Sequence, residues 1–229
     1  MGRPAARRTP PAAGDGGADR PAPLLTVDLN GAPHVLVSTC TGGGSSTILR
    51  TLTAQLLHHG AHALVLDIKR ISQPWARQLP TVTYRADVAD IHDALVGLVD
   101  ELRRRIDVAD RHGDDVGLLR LVVVFESGDA TLRKLARHWE TVRRPGDPMV
   151  SPAFTALTDV LFAGAMVRMH VLFDGDPTLS VLGPEGREQF STAILDLRIY
   201  TCLACRAVFR SCMWCGVVGR AGIRSVPAG

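Results

Sequence analysis

Residues 39–47, Thr-Cys-Thr-Gly-Gly-Gly-Ser-Ser-Thr, hold the densest set of chemistry-bearing positions in the chain. A glycine-rich loop binds phosphate because glycine lets successive backbone N–H groups turn inward. A helix that opens directly after the loop adds the positive end of its dipole. The pattern for such a loop is G-x-x-x-x-G-K-[ST]. Thr39 stands at the first glycine position, Gly44 fits the second, and Ser45 occupies the lysine position. Ser46 and Thr47 supply hydroxyls of the kind that ligate Mg²⁺ beside a bound ATP. The candidate nucleotide-binding residues are Thr41, Gly42, Gly43, Gly44, Ser45, Ser46 and Thr47. The shape is that of a phosphate site, and its main positive charge is missing. Taken alone, the Gly/Ser run is a flexible turn; the strand pattern before it and the helix pattern after it favour the phosphate loop.

A working nucleotide-hydrolysing site needs a second acidic position at a neighbouring strand end, to hold Mg²⁺ and to polarise the attacking water. The apolar run LVVVF ends in Glu126-Ser127. Glu126 is the candidate catalytic and Mg²⁺-associated carboxylate, with a carboxylate that simply caps the strand end as the alternative. Ser127 cannot serve as a general base. Asp67 and Lys69 end another apolar run on the same side. Lys69 offers either a displaced phosphate contact or a solvated surface lysine. Arg103, Arg104 and Arg105 form a basic run on a helix. They fit a solvated face, a DNA-phosphate contact, or a contact to a neighbouring subunit's nucleotide. Cys202-x2-Cys205 and Cys212-x2-Cys215 would give four thiolates for one tetrahedral, structural zinc. The six residues between the pairs fall short of the usual span of about 12–20. A reduced tail without structure is the alternative.

These groups must be positioned by an α/β scaffold. LLTVDL (24–29) and HVLVS (34–38) read as strands. Residues 46–59 carry apolar positions at Ile48, Leu49, Leu52, Leu56 and Leu57, a helical stripe ended by Gly60. HALVLDI (62–68) and LRLVVVF (119–125) are continuous apolar runs, as expected of strands buried on both faces. MHVLF (169–173) is another strand, and residues 87–108, 130–142 and 151–166 read as helices. Alternating strands and helices imply a parallel sheet covered by helices, with ligands at the carboxyl ends of the strands.

The chain has 229 residues, 46% hydrophobic and 21% charged, enough for one full core with tails. Residues 1–23 are rich in Pro, Ala, Gly and Arg and are expected to be a disordered basic leader. Residues 24–198 form the folded domain, and 199–229 a Cys-rich extension. The net charge of +3 is too small to argue for nucleic-acid binding by itself. No apolar run approaches the roughly 20 residues of a membrane span, and the N-terminus has no signal-peptide core. The expectation is a cytoplasmic protein with reduced cysteines.

Residues 30–195 resemble the FtsK/SpoIIIE family of DNA translocases, particularly its actinobacterial plasmid-transfer and replication-associated branch. The family's loop reads G-A-T-G-x-G-K-S where this chain has Thr39-Cys40-Thr41-Gly42-Gly43-Gly44-Ser45-Ser46, and its D-P-K is similar to Asp67-Ile68-Lys69. The stretches ISQPWARQLPTVTYRADVADIHDAL (71–95), RRPGDPMVSPAFTALTDVLFAGAMVRMHVL (143–172) and GPEGREQFST (183–192) are also similar. The resemblance implies a RecA-like P-loop core that assembles as a hexameric ring on double-stranded DNA and uses ATP. The departures fall where chemistry occurs. Ser45 replaces the phosphate-binding lysine and Ser127 the catalytic acid. Where the family carries a glutamine that senses the γ-phosphate, Asp176 is the nearest equivalent. The expectation is an ATP-binding, translocase-like domain with little or no hydrolysis; a non-catalytic assembly partner is the alternative.

Overall fold

A computed structural model of the chain describes residues 26–39, 42–113, 117–176 and 182–195. Six strands form one sheet in which every pairing is parallel: β1 (His34–Ser38), β2 (His62–Asp67), β3 (Val82–Arg85), β4 (Leu121–Glu126), β5 (Met169–Asp174) and β6 (Thr192–Leu195). Their order is β3-β2-β4-β5-β1-β6. The helices are α1 (Ser45–His58), α2 (Val88–His112), α3 (Gly128–Val142), α4 (Pro152–Ala163) and the short α5 (Gly183–Glu188). Two 3-10 turns, Pro74–Gln78 and Gly164–Val167, complete the described elements.

The central strands are apolar without interruption because each is covered on both faces, and successive side chains still alternate between the two. Leu36, Leu64, Leu66, Val123, Phe125, Val171 and Phe173 enter one core with Leu95, Leu132 and Leu157 of α2, α3 and α4. Val35, Val37, Ala63, Val65, Val122, Val124 and Leu172 enter the other, with Leu49 of α1. The result is three layers: α1 on one face, α2, α3 and α4 on the other, the sheet between. Asp87 caps α2 by accepting from the Ala89 N–H at 3.1 Å, and Ser151 caps α4 by accepting from the Ala153 N–H at 3.2 Å.

The expected strands at 34–38, 62–68, 119–125 and 169–173 and the expected helices over 46–59, 87–108 and 130–142 appear within a few residues of their boundaries, and α4 with its 3-10 turn covers 151–166. One strand reading fails. Residues 26–29 of the LLTVDL run form no strand. Asp28 there folds the chain into a turn, its carboxylate accepting from the Asn30 N–H at 2.9 Å and its carbonyl from the Ala32 N–H at 2.8 Å. Leu29 still buries itself beside Val35. The edge strands β3 and β6 carry no strong sequence pattern, because each has a neighbour on one side only.

The chain leaves β1, forms α1, and returns as β2 on the far side of β5 and β4. The carboxyl ends of β1, β2, β4 and β5 therefore converge at the start of α1. That is where an open parallel sheet has its crevice.

Candidate functional site

The loop after β1 reaches α1 through two left-handed glycines, Gly42 at φ 80° and Gly44 at φ 89°. A side chain at either position would be strained. Gly44 opens α1 with no side-chain cap, so the first turn keeps donors that no side chain of its own satisfies. Thr39, Gly42, Gly44, Ser45, Ser46, Lys69 and Asp174 line a cleft of about 420 Å³ at this point. The Thr39 hydroxyl is buried there without a hydrogen-bond partner. Of the loop residues read from sequence, Thr41 lies outside the described residues, as do Cys202, Cys205, Cys212 and Cys215.

Glu126 and Ser46 stand 80 positions apart in the chain and meet here. The Ser46 hydroxyl donates to Glu126 Oε1 at 2.5 Å. The other oxygen, Oε2, accepts from Gln73 Nε2 at 2.9 Å, and Gln73 Nε2 also donates to the Ser46 carbonyl at 3.1 Å. Trp75 Nε1 donates to Gln73 Oε1 at 2.6 Å, which fixes the amide's orientation. Glu126 is fully buried, and these hydrogen bonds give each of its oxygens a donor. A hydroxyl and a carboxylate side by side are the hard oxygen donors that suit Mg²⁺ beside bound phosphate. Among the described residues no group of three or more His, Cys, Asp or Glu side chains could hold a metal by itself.

Asp67, at the end of β2, is also fully buried and has a different task. It accepts from the N–H groups of Arg70 (3.1 Å), Ser72 (3.0 Å) and Gln73 (2.9 Å) and from the Tyr84 hydroxyl (2.9 Å). Those four donors wrap the β2 exit around the carboxylate. The wrapping carries Lys69 to the cleft and Gln73 to Glu126. Burial pushes the Tyr84 phenol up.

β5 ends in a third carboxylate, Asp174, whose Oδ2 accepts from the Ser127 N–H at 3.1 Å. It also receives the Ser45 hydroxyl. Burial holds its pKa above the ordinary aspartate value, and nearby Glu126 pushes the same way; the Ser127 and Ser45 hydrogen bonds and the charge of Lys69 act against that. Asp174 lines the cleft, whereas Asp176 is exposed and its N–H donates to Asp129 Oδ2 at 2.6 Å. The carboxylate at the cleft is thus Asp174. Ser127 adopts a left-handed backbone at φ 54° and turns the chain from β4 into α3. The next residue must be glycine, since a Cβ on Gly128 would lie 2.2 Å from the Phe173 ring.

The arginine run is not a free cationic face. Arg103 pairs with Asp100 at 3.3 Å, and Arg104 with Glu101 at 2.8 Å. Arg105 is buried, paired with Glu101 at 2.6 Å and donating to the carbonyls of Leu119 and Val167. Its guanidinium ties α2 to the amino end of β4 and the turn before β5. The hydrogen bonds from Arg104 and Arg105 hold the Glu101 carboxyl down at about 2. Burial takes Arg105 out of any DNA or neighbouring-subunit contact, while Arg103 and Arg104 stay on the surface in pairs with Asp100 and Glu101.

Two site residues escaped the sequence reading. Asp174 follows an apolar strand directly, as Glu126 does, and the same strand-end argument would have found it. Gln73 sits in an irregular loop, and no local pattern marks it.

No protein-family model matches the chain, and no curated protein matches it. Solved structures do. The conjugation coupling protein TcpA of pCW3, in its monomer form with ATPγS, is 20% identical at a TM-score of 0.61, over 74% of this chain and 50% of that one. The cytoplasmic domain of the type VII secretion ATPase EccC of Thermomonospora curvata is 18% identical at a TM-score of 0.52, over 74% of this chain and 20% of that one. EssC of Geobacillus thermodenitrificans (its ATPases 2 and 3) is 15% identical at a TM-score of 0.52, over 71% of this chain and 31% of that one. The chain thus spans half the length of the TcpA chain and less of the others. Among the described residues no helix is long and apolar enough to cross a membrane. The six-stranded, all-parallel sheet is the fold of RecA-like P-loop ATPases, and the chain has a distant structural similarity to a conjugation coupling protein and a type VII secretion ATPase.

Proposed function

We propose that this chain is a nucleotide-binding domain of the FtsK/SpoIIIE type in which ATP hydrolysis is lost or strongly reduced. The observation that carries the reading is a cleft on the carboxyl edge of the sheet lined by the glycine loop and Ser46, with buried Glu126 directly behind Ser46 and bonded to its hydroxyl. Thr41, Gly42, Gly43, Gly44, Ser45, Ser46 and Thr47 would surround the phosphates of ATP, and Ser46 with Glu126 would hold Mg²⁺. That ion, when bound, neutralises phosphate charge; the chain's own groups orient the phosphates and exclude water around Glu126.

Three features argue against efficient turnover. Ser45 brings no positive charge to the loop. Ser127, at the position of the catalytic acid, has no group that accepts a proton from water at neutral pH. Asp174 sets a carboxylate beside the phosphates. Missing catalytic groups of this kind each cost orders of magnitude in rate. The natural role is that of a cytoplasmic ring subunit on double-stranded DNA, contributing a nucleotide-responsive position beside intact homologues. The structure of TcpA, a conjugation coupling protein, with ATPγS supports that choice of nucleotide. The Cys-rich extension, with or without zinc, would serve assembly.

Purified protein decides the matter through fluorescent ATP-analogue binding and ATP hydrolysis, each with and without duplex DNA. The expected result is Mg²⁺-dependent binding with turnover at background. A DNA-stimulated rate of about 1 s⁻¹ or more, typical of working enzymes, would overturn the loss of hydrolysis. Absence of binding at millimolar nucleotide would overturn the nucleotide site.

A further inference from the structure

The chain has two lysines, Lys69 and Lys134, and neither is in the glycine loop. Lys134 lies exposed on α3. Lys69 lines the phosphate cleft beside Ser45 and Ser46. Its backbone position is set firmly: Asp67, two residues earlier, is locked by four donors, and Arg70, the next residue, is bonded through its N–H to the same carboxylate. The side chain is exposed and so keeps its reach. A lysine ammonium is a compact point charge on a four-carbon stem, so its value to a phosphate depends on where the charge arrives. The backbone origin matters less.

The opposing charge is equally defined. Asp174 lines the same cleft, receives the Ser45 hydroxyl, and feels Lys69 electrostatically. The remaining carboxylates nearby are engaged elsewhere: Glu126 by Ser46 and Gln73, Asp67 by its loop. Resting on the nucleotide-site reading above, we propose that Lys69, supplied from the end of β2, is the cation that binds the nucleotide's phosphates in place of a loop lysine, with Asp174 as the opposing charge that limits its affinity. The unpartnered Thr39 hydroxyl inside the cleft gives the phosphates one further donor.

The test measures binding of fluorescent ADP and ATP analogues with Mg²⁺ to the full chain. Lys69→Met should weaken binding about tenfold or more, the value of a charge-assisted contact, while the charge control Lys134→Met leaves it unchanged. Asp174→Asn should tighten binding severalfold, and more for ATP than for ADP. Placing a lysine in the loop, Ser45→Lys, should rescue Lys69→Met. A readout independent of affinity is lysine acetylation followed by mass spectrometry: saturating nucleotide should protect Lys69 and leave Lys134 reactive. Wild-type binding that Lys69→Met does not change, or a Lys69 that stays equally reactive under nucleotide, overturns the proposal and leaves the nucleotide site standing. No binding by either wild type or Asp174→Asn removes the site itself and the proposal with it.

Discussion

The two ends of the sheet bury ionisable groups in opposite ways. At the carboxyl end, Asp67 and Glu126 are fully buried and surrounded by donors, and Asp174 is partly buried beside the cleft. At the amino end, His34 of β1 and His170 of β5 are buried with little to receive a charge. The His34 Nδ1 accepts from the Val171 N–H at 3.1 Å, so its proton sits on Nε2. The His170 Nδ1 faces the Pro33 carbonyl at 3.0 Å and must donate, so its Nε2 is bare. Neither Nε2 has a partner within hydrogen-bond geometry, although the Leu161 backbone near His34 opposes the effect of burial. Burial drives both rings down to about 4; the neighbouring His170 adds to the effect on His34, and three nearby arginines, Arg120 first, add to it on His170. A buried polar group is stabilised where several donors converge on it, and burial favours the neutral form of a ring that has few partners. The first arrangement makes a site, and the second makes a core that acid can break.

The largest effect expected from this contrast is therefore acid lability that originates at the amino end. Well above pH 6.5 both rings are neutral folded or unfolded and contribute no pH dependence. As pH falls from 6.5 towards 4, the unfolded chain binds protons that the folded chain refuses, so stability drops. The loss at the bottom of that window is about 3 kcal/mol for each ring. Asp174 works with the opposite sign: its raised value adds stability at low pH that is lost as pH rises through it. Urea unfolding at several pH values, with NMR titration of the imidazoles, checks the balance. Ring pKa values near 6.5 would erase the distinction between the ends.

Next in size is Asp67→Ala. It strands four donors at the β2 exit, three of them backbone N–H groups, and should cost about 4 kcal/mol in denaturant unfolding. It should also abolish nucleotide binding in protein that remains folded, since Lys69 and Gln73 lose their placement. Tyr84→Phe removes one of those four bonds, and should cost about 1 kcal/mol with little effect on binding. The smallest effect belongs to Arg104→Ala on the exposed face of α2. Its pair with Glu101 is a surface interaction, and thermal unfolding should change by less than about 0.5 kcal/mol. A larger loss there would mean that surface pairs rival the sheet ends in importance.

Periodicity along the chain was enough to determine the layered α/β fold. Buried strands such as LVVVF and amphipathic runs such as 87–108 carry their own signal, because each side chain's environment repeats with the local backbone period. The glycine loop and the acidic end of β4 were legible for a related reason: both are contiguous, and their chemistry follows from residue type. The LLTVDL run misled because Asp28 offers the backbone a turn in place of a ladder, and propensity alone does not decide between them. Only tertiary structure decided the cleft's electrostatics. Which carboxylate meets which donor depends on strand order. The order β3-β2-β4-β5-β1-β6 brings together the ends of β1, β2, β4 and β5 from positions 38 to 174. Lys69 and Asp174 came to the glycine loop, Gln73 came to Glu126, and Arg105 was drawn into the core by long-range pairing that no local pattern encodes.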